Sequence, residues 1–200
     1  MENYRSQEFP EPQPEIPPEN DGGFRKFLLD VLETVALSLV LFLGINTISA
    51  RIRVESISMQ PTLYAGDYVI VNKIAYKFSA PKRGDVIVFR FPPDPNREPY
   101  IKRIIGLPGD HIHIEAGKVY INGTLLIEPY LRVKTERGGD WDVPEDSLFV
   151  MGDNRNNSSD SRAWGMVPEE NIIGRAILIY WPPDQWGVLS FPYATAAGPE

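Results

Sequence analysis

The sequence predicts a mainly β protein, a compact antiparallel β domain behind a single N-terminal transmembrane helix. Three observations carry this reading: one long uncharged apolar run near the N-terminus, short alternating or β-branched runs after it, and turn-forming residues between those runs. The 200 residues hold one domain of ordinary size and an appendage, and 42% apolar residues is typical of a folded chain. A formal net charge of -7 speaks against nucleic acid as a partner, since no basic face large enough to neutralise many phosphates is suggested. Without cysteine there are no disulfides, thiolate nucleophiles or sulfur-bound zinc, and two histidines leave few candidates for imidazole chemistry.

Three segments are expected. Residues 1–23 are rich in proline and carboxylates and poor in apolar side chains, which predicts a disordered acidic tail that cannot bury enough surface to offset the entropy of ordering. Residues 24–50 contain the uncharged run Thr34 to Ala50, about 25 Å of helix, and the turn from Phe27 extends it to the ~30 Å hydrocarbon thickness. A cleavable secretory signal would also end in small residues such as Ile48-Ser49-Ala50, but its apolar core is shorter and no long acidic tail precedes it. An anchor in the lipid bilayer is the better reading. Arg25 and Lys26 before it nearly balance Arg51 and Arg53 after it, so charge alone does not orient it.

Residues 51–200 form the β-rich domain. Strands are expected at Asp67–Asn72, Asp85–Phe91, Tyr100–Ile105, His111–Glu115, Lys118–Ile121, Ser147–Met151 and Gly174–Tyr180. Asn122-Gly123 is the residue pair of a type I′ turn and predicts a hairpin over Lys118 to Ile127. Gly106 to Asp110 turns the chain between two further strands. Trp164, Trp181, Trp186 and Phe191 suit either the core or a membrane interface, and Ala194-Thr195-Ala196 reads as a mobile terminus.

Three polar segments are candidates for chemistry. Ser56 to Leu63 is a serine-rich turn in which Pro61 forbids helix continuation and Thr62 offers a local cap. In Tyr100 to Ile105, Lys102 stands among apolar neighbours; burial there disfavours its ammonium form, and a neutral amine can take a proton from a serine. Gly152 to Arg162 is too polar for core, and Asp153 can pair with Arg155 or Arg162, Asp160 with Arg162, while Ser158 can hydrogen-bond an amine. Each has an ordinary alternative: a turn serine bonded to its own backbone, an edge-strand lysine reaching water, a structural loop.

Taken together, Ser58 to Leu63, Gly84-Asp85-Val86, Tyr100 to Asp110 and Gly152 to Gly165, in this order behind one apolar helix, resemble the boxes of the bacterial type I signal peptidase (leader peptidase) family. The resemblance implies a membrane-bound serine endopeptidase with a Ser/Lys dyad, in which Ser58 is the nucleophile and Lys102 its general base. It further implies that Ser158 orients the lysine and that Ser56 and the Ser58 N–H form the oxyanion hole. Asp153, Arg155, Asp160 and Arg162 become a supporting scaffold. Val54, Met59, Leu63, Tyr100 and Ile101 match shallow pockets for the small side chains of Ala-x-Ala sites. The partners implied are signal-peptide-bearing precursors and the bilayer, with the N-terminus cytoplasmic and the catalytic domain outside; the chemistry needs no metal or organic cofactor. Glu55 and Ile57 stand where the family often has proline and glycine, and only about 40 residues separate Asp110 from Gly152, which marks a compact member.

Other readings are a soluble self-cleaving repressor-like Ser/Lys peptidase, which lacks an apolar anchor, and an anchored β-domain that only binds a partner. His111-x-His113 is a metal-binding spacing, but the sequence places no third ligand beside it.

Overall fold

The computed structural model describes residues 22–189 and 194–195; the expectations for the acidic tail and for Phe191 and Ala196 fall outside them. Two compact units divide at Leu43/Gly44. The first contains most of helix α1, Gly22–Ile48. At 27 residues it is about 40 Å long. Its apolar side chains, among them Leu37, Val40, Leu41 and Phe42, are exposed on all sides. Thr34 and Ser38 donate their hydroxyls to the carbonyls of Asp30 and Thr34, at 2.8 and 2.7 Å, so these two hydroxyls inside the apolar run are satisfied within the helix.

The second unit begins with the last residues of α1, from Gly44, and the helix gives way at Ser49 to β1, Ser49–Arg53. Then come β2 (Tyr68–Asn72), a single helical turn α2 (Ala75–Phe78), β3 (Val86–Phe89) and β4 (Tyr100–Gly106). A second group of strands follows: β5 (His111–Glu115), β6 (Lys118–Ile121), β7 (Thr124–Ile127) and β8 (Gly139–Asp142). The chain returns through β9 (Ser147–Met151), the short helix α3 (Ser161–Trp164), β10 (Val167–Pro168), β11 (Ile172–Trp181), β12 (Gly187–Val188) and β13 (Ala194–Thr195).

These strands make an eight-stranded antiparallel sheet, in order β1-β2-β11-β3-β4-β9-β10 with β12 also on β11, and a five-stranded sheet in order β13-β7-β6-β5-β8. The fold is mainly antiparallel β, as the alternating runs predict. Every residue of β3 is buried, because Val86 and Val88 face one core while Ile87 and Phe89 face another. β9 divides similarly: Leu148 and Val150 join Ile87 and Phe89, while Phe149 and Met151 pack with Ile112, Ile114, Val119 and Ile121 of the second sheet. A strand buried on both faces reads as a continuous apolar run, which is why both were legible.

Asn122 and Gly123 both have positive φ, 51° and 79°, as a type I′ turn demands. Between β4 and β5 the Leu107 N–H donates to the Asp110 carboxylate at 2.7 Å, closing the expected turn. β1 and β8 were not expected; Ser-Ala-Arg-Ile-Arg and Gly-Asp-Trp-Asp carry too little apolar material to signal a strand, and sheet pairing decides them. Ala194 and Thr195 pair with Ile127 and Leu126, so these two residues are held in the second sheet rather than loose.

Candidate active site

The turn after β1 is closed by backbone bonds between Val54 and the 66–67 segment, with Asp67 buried and accepting from the Tyr64 N–H at 2.7 Å. Within it the Gln60 N–H reaches Ile57 O and the Leu63 N–H reaches Met59 O, so Ser58 rides on a tight, hydrogen-bonded turn. Met59 and Leu63 anchor this turn. They are fully buried in the core with Val69, Val71, Val86 and Ala176, and they do not line the adjacent groove, contrary to the pocket role expected for them. The reason is close packing under the turn: Met59 and Leu63 fill the interior beneath it, while Ile57 on its other side is half exposed and lines the groove.

Lys102 comes from the middle of β4, where it lies opposite Ile87 on β3 and is 4% exposed. Its Nζ lies 2.7 Å from Ser58 Oγ and 2.9 Å from Ile101 O. Burial lowers its pKa from 10.5 to about 8, against the upward pull of Asp160 and Asp153. Ser56 Oγ is 3.1 Å from Ser58 Oγ. The three side chains therefore form one hydrogen-bonded group, with Ser58 itself buried at 7% exposure.

The segment after β9 clamps this group. The Asn154 N–H donates to Ser58 O at 3.0 Å and Asn154 Nδ2 to Ile57 O at 3.2 Å. Gly152 is required by close approach, since a Cβ there would stand 2.4 Å from Ser58 O and 2.3 Å from Ser158 Oγ. Ser158 lies beside the site, but its expected bond to Lys102 is not formed; its buried hydroxyl has no hydrogen-bond partner among the described residues.

Of the two scaffold aspartates, Asp160 takes the partner the sequence offered, Arg162, and Asp153 does not. Asp153 pairs with Arg103, not with Arg155 or Arg162: Nε to Oδ1 is 2.8 Å and Nη2 to Oδ2 is 2.6 Å. Thr62 does not cap its own turn but donates to the same carboxylate at 2.5 Å. Arg155 pairs with Glu128, and Asp160 takes Arg162 through two bonds of 2.8 and 2.7 Å while accepting the Gly152 N–H. Tyr130 lies under the Arg103 guanidinium, 4.2 Å from ring centroid to Cζ, and donates its hydroxyl to Glu128. Arg103, Glu128 and Tyr130 are the participants missed. Arg103 lay next to Lys102 in a matched box and was the one with a signal to find.

An open groove of about 800 Å³ runs from Ser58 and Lys102 along β1 and the start of β4. Ile52, Val54, Ile57, Val88, Tyr100 and Ile101 line it, and Val54, Tyr100 and Ile101 are among the residues expected at a pocket. Trp164 packs with Phe89, Phe91 and Tyr100 and supports the Tyr100 wall, whereas Trp181 and Trp186 are exposed. His111 and His113 are bonded through Nδ1 to Asp142 and Asp140, each at 2.7 Å, on the exposed face of the second sheet.

A buried amine against a serine hydroxyl, beside an apolar groove, is equipped for nucleophilic attack on a peptide carbonyl. Residues 28–181 match the family described as signal peptidase, peptidase S26, and the chain belongs to this family of serine endopeptidases. Within it the chain is similar to the signal peptidase I of Leptolyngbya laminosa, with 44% identity over 94% of this chain and 98% of that protein. It also resembles the "Probable signal peptidase I-2" of Synechocystis sp., with 41% identity over 88% and 81%. A crystal structure of a signal peptidase I from Enterococcus faecalis V583 is 32% identical, covering 48% of this chain and 97% of that one at a TM-score of 0.45.

Proposed function

We propose that this chain is a single-pass membrane enzyme that removes signal peptides from exported precursors, with Ser58 as nucleophile and Lys102 as general base. The observation that carries the dyad is the 2.7 Å approach of a buried lysine amine, its pKa lowered to about 8, to the Ser58 hydroxyl. A neutral Nζ takes the hydroxyl proton as Oγ attacks the scissile carbonyl. The ammonium so formed protonates the leaving amine, and water then hydrolyses the acyl-enzyme with the same lysine as base. The negative oxygen of the tetrahedral intermediate is met by the Ser58 N–H and by the Ser56 hydroxyl once it turns from Ser58 Oγ. One such donor contributes about 3 kcal/mol.

Cleavage after small residues of the Ala-x-Ala type is carried over from the family resemblance, with Val54, Tyr100 and Ile101 walling the open groove beside the dyad. The apolar helix, long enough for a bilayer and exposed all round, supports a membrane anchor. The family resemblance supports a cytoplasmic N-terminus and an extracytoplasmic domain. Ser158 is assigned to positioning Lys102 once its hydroxyl rotates toward the amine.

The test is cleavage of a precursor with an Ala-x-Ala site by the full chain and by Ser58→Ala and Lys102→Ala. Both variants should lose at least about 1,000-fold in kcat/KM. Residual processing by either near the unmodified rate would dismiss the dyad.

A further inference from the structure

Tyr100, at the start of β4, lines the groove, and its ring also lies under Lys102 Nζ at 5.4 Å. Behind it runs the connection between β3 and β4, residues 90–99. This connection is pinned at its start, where the Arg90 N–H donates to Asn171 O at 2.9 Å and Asn171 Nδ2 donates to Arg90 O at 3.3 Å. Two successive turns then fold it back, the Asp94 N–H donating to Phe91 O and the Arg97 N–H to Asp94 O, both at 3.1 Å. Pro92, Pro93 and Pro95 fix φ within these turns, which leaves little backbone freedom to lose on folding. The turns bring the Arg97 guanidinium over the Phe91 ring, 5.7 Å from its centroid. The buried Phe91 stacks on Tyr100, with centroids 4.6 Å and planes 16° apart, and Trp164 meets both rings edge-on.

We propose that Phe91, covered by Arg97, is a specificity-determining residue that acts through Tyr100: it fixes the Tyr100 ring and so sets the room for the small side chains before the scissile bond. Phe91 does not line the groove itself. The inference rests on the proposed cleavage at Ala-x-Ala sites. A partly exposed ring beside an open groove excludes a larger side chain only if it resists being pushed aside. The stack supplies that resistance, because displacing Tyr100 separates it from Phe91 and uncovers a buried ring. An offset-stacked aromatic pair and a cation over a ring each shift an equilibrium by roughly 2- to 10-fold. Phe91 and Arg97 are thus positioning residues for the groove wall, held by a connection whose turns are closed before the substrate arrives.

The test is a ratio of kcat/KM values measured on the full chain in detergent. One precursor peptide carries Ala-x-Ala before the scissile bond, and two others carry leucine in place of one alanine or the other. The unmodified chain should cleave the leucine peptides at least about 100-fold less efficiently. Phe91→Leu keeps an apolar side chain but removes the stack, and should shrink that penalty about tenfold at one or both positions. Phe91→Tyr keeps the ring and should restore the penalty. Arg97→Gln changes an exposed side chain, folds whether or not Phe91→Leu does, and should shrink the penalty about threefold. Ile112→Val loosens the core of the second sheet and should leave the penalty unchanged, which separates positioning from general destabilisation. An unmodified chain that does not distinguish alanine from leucine overturns the Ala-x-Ala reading. An unmodified chain that does, with the penalty intact in Phe91→Leu and Arg97→Gln or equally reduced in Ile112→Val, overturns this inference and leaves that reading standing.

Discussion

Arg103 holds both oxygens of the Asp153 carboxylate, one residue along β4 from Lys102. Arg162 holds both oxygens of Asp160 in the same way. The two carboxylates nearest to Lys102 in electrostatic effect are thus each engaged by a guanidinium. Their negative charge raises the Lys102 pKa less than burial lowers it, and the amine turns to Ser58 Oγ and Ile101 O instead of to a carboxylate. Arginine suits this task because its planar fork saturates a carboxylate and stays charged.

The first expectation concerns pH. With the amine near 8, kcat/KM should rise about tenfold per pH unit below that value and level off above it, since only neutral Lys102 accepts a proton. A flat profile between about pH 6 and 9 would contradict the assignment.

Stability should run the other way. Folding lowers the Lys102 pKa, so below about 8 the folded and unfolded chains are both protonated and the full cost of the buried ammonium is present. Between about 8 and 10.5 the unfolded state binds more protons, and stability rises with pH. Lys102→Met should therefore abolish activity yet stabilise the domain by about 3 kcal/mol at pH 7, a gain that disappears toward pH 10.5. Thermal unfolding of the full chain in detergent across this range measures it.

The Arg103–Asp153 pair gives opposite shifts from its two ends. Arg103→Met leaves Asp153 uncompensated, raises the Lys102 pKa and moves the midpoint of the pH profile to higher pH. Asp153→Asn removes a negative charge that raises that pKa and moves the midpoint lower. Both should destabilise by about 3–5 kcal/mol, because each strands a buried partner. Profiles shifting in the same direction would refute the electrostatic account.

Glu128 braces the site from a distance. Its carboxylate takes the buried Arg155, whose carbonyl in turn accepts from Arg162 at 2.6 Å. Glu128→Gln should cost about 3 kcal/mol of stability and reduce kcat more than it changes KM, since it touches no part of the groove. Denaturant unfolding together with steady-state kinetics separates the two effects.

At Gly152 an added methyl meets Ser58 O and Ser158 Oγ well inside contact distance. Gly152→Ala should displace the Ser58 carbonyl and cut kcat/KM at least about 100-fold, because reacting groups misplaced by about 1 Å lose that much. A comparable alanine at Gly23, where nothing lies within 4 Å, should leave activity unchanged.

What the sequence determined by itself is what depends on local pattern. The apolar helix, the doubly buried β3 and β9, the Asn122-Gly123 hairpin and the Leu107–Asp110 turn each follow from residues close together in the chain. The serine turn and the lysine strand were also legible, because their residue order is distinctive. The tertiary structure decided the rest. Arg103 lies opposite Met151 across the β4–β9 pairing, and Asp153, two residues further on, falls beside it; no spacing along the chain selects that partner over Arg155 or Arg162. Met59 and Leu63 were expected in the groove and lie in the core, because packing around the turn, not proximity to Ser58, sets which way they face. The lowered pKa of Lys102 belongs to the same class. It arises from burial between strands distant in sequence, and desolvation is a property of the assembled sheet rather than of any residue within it.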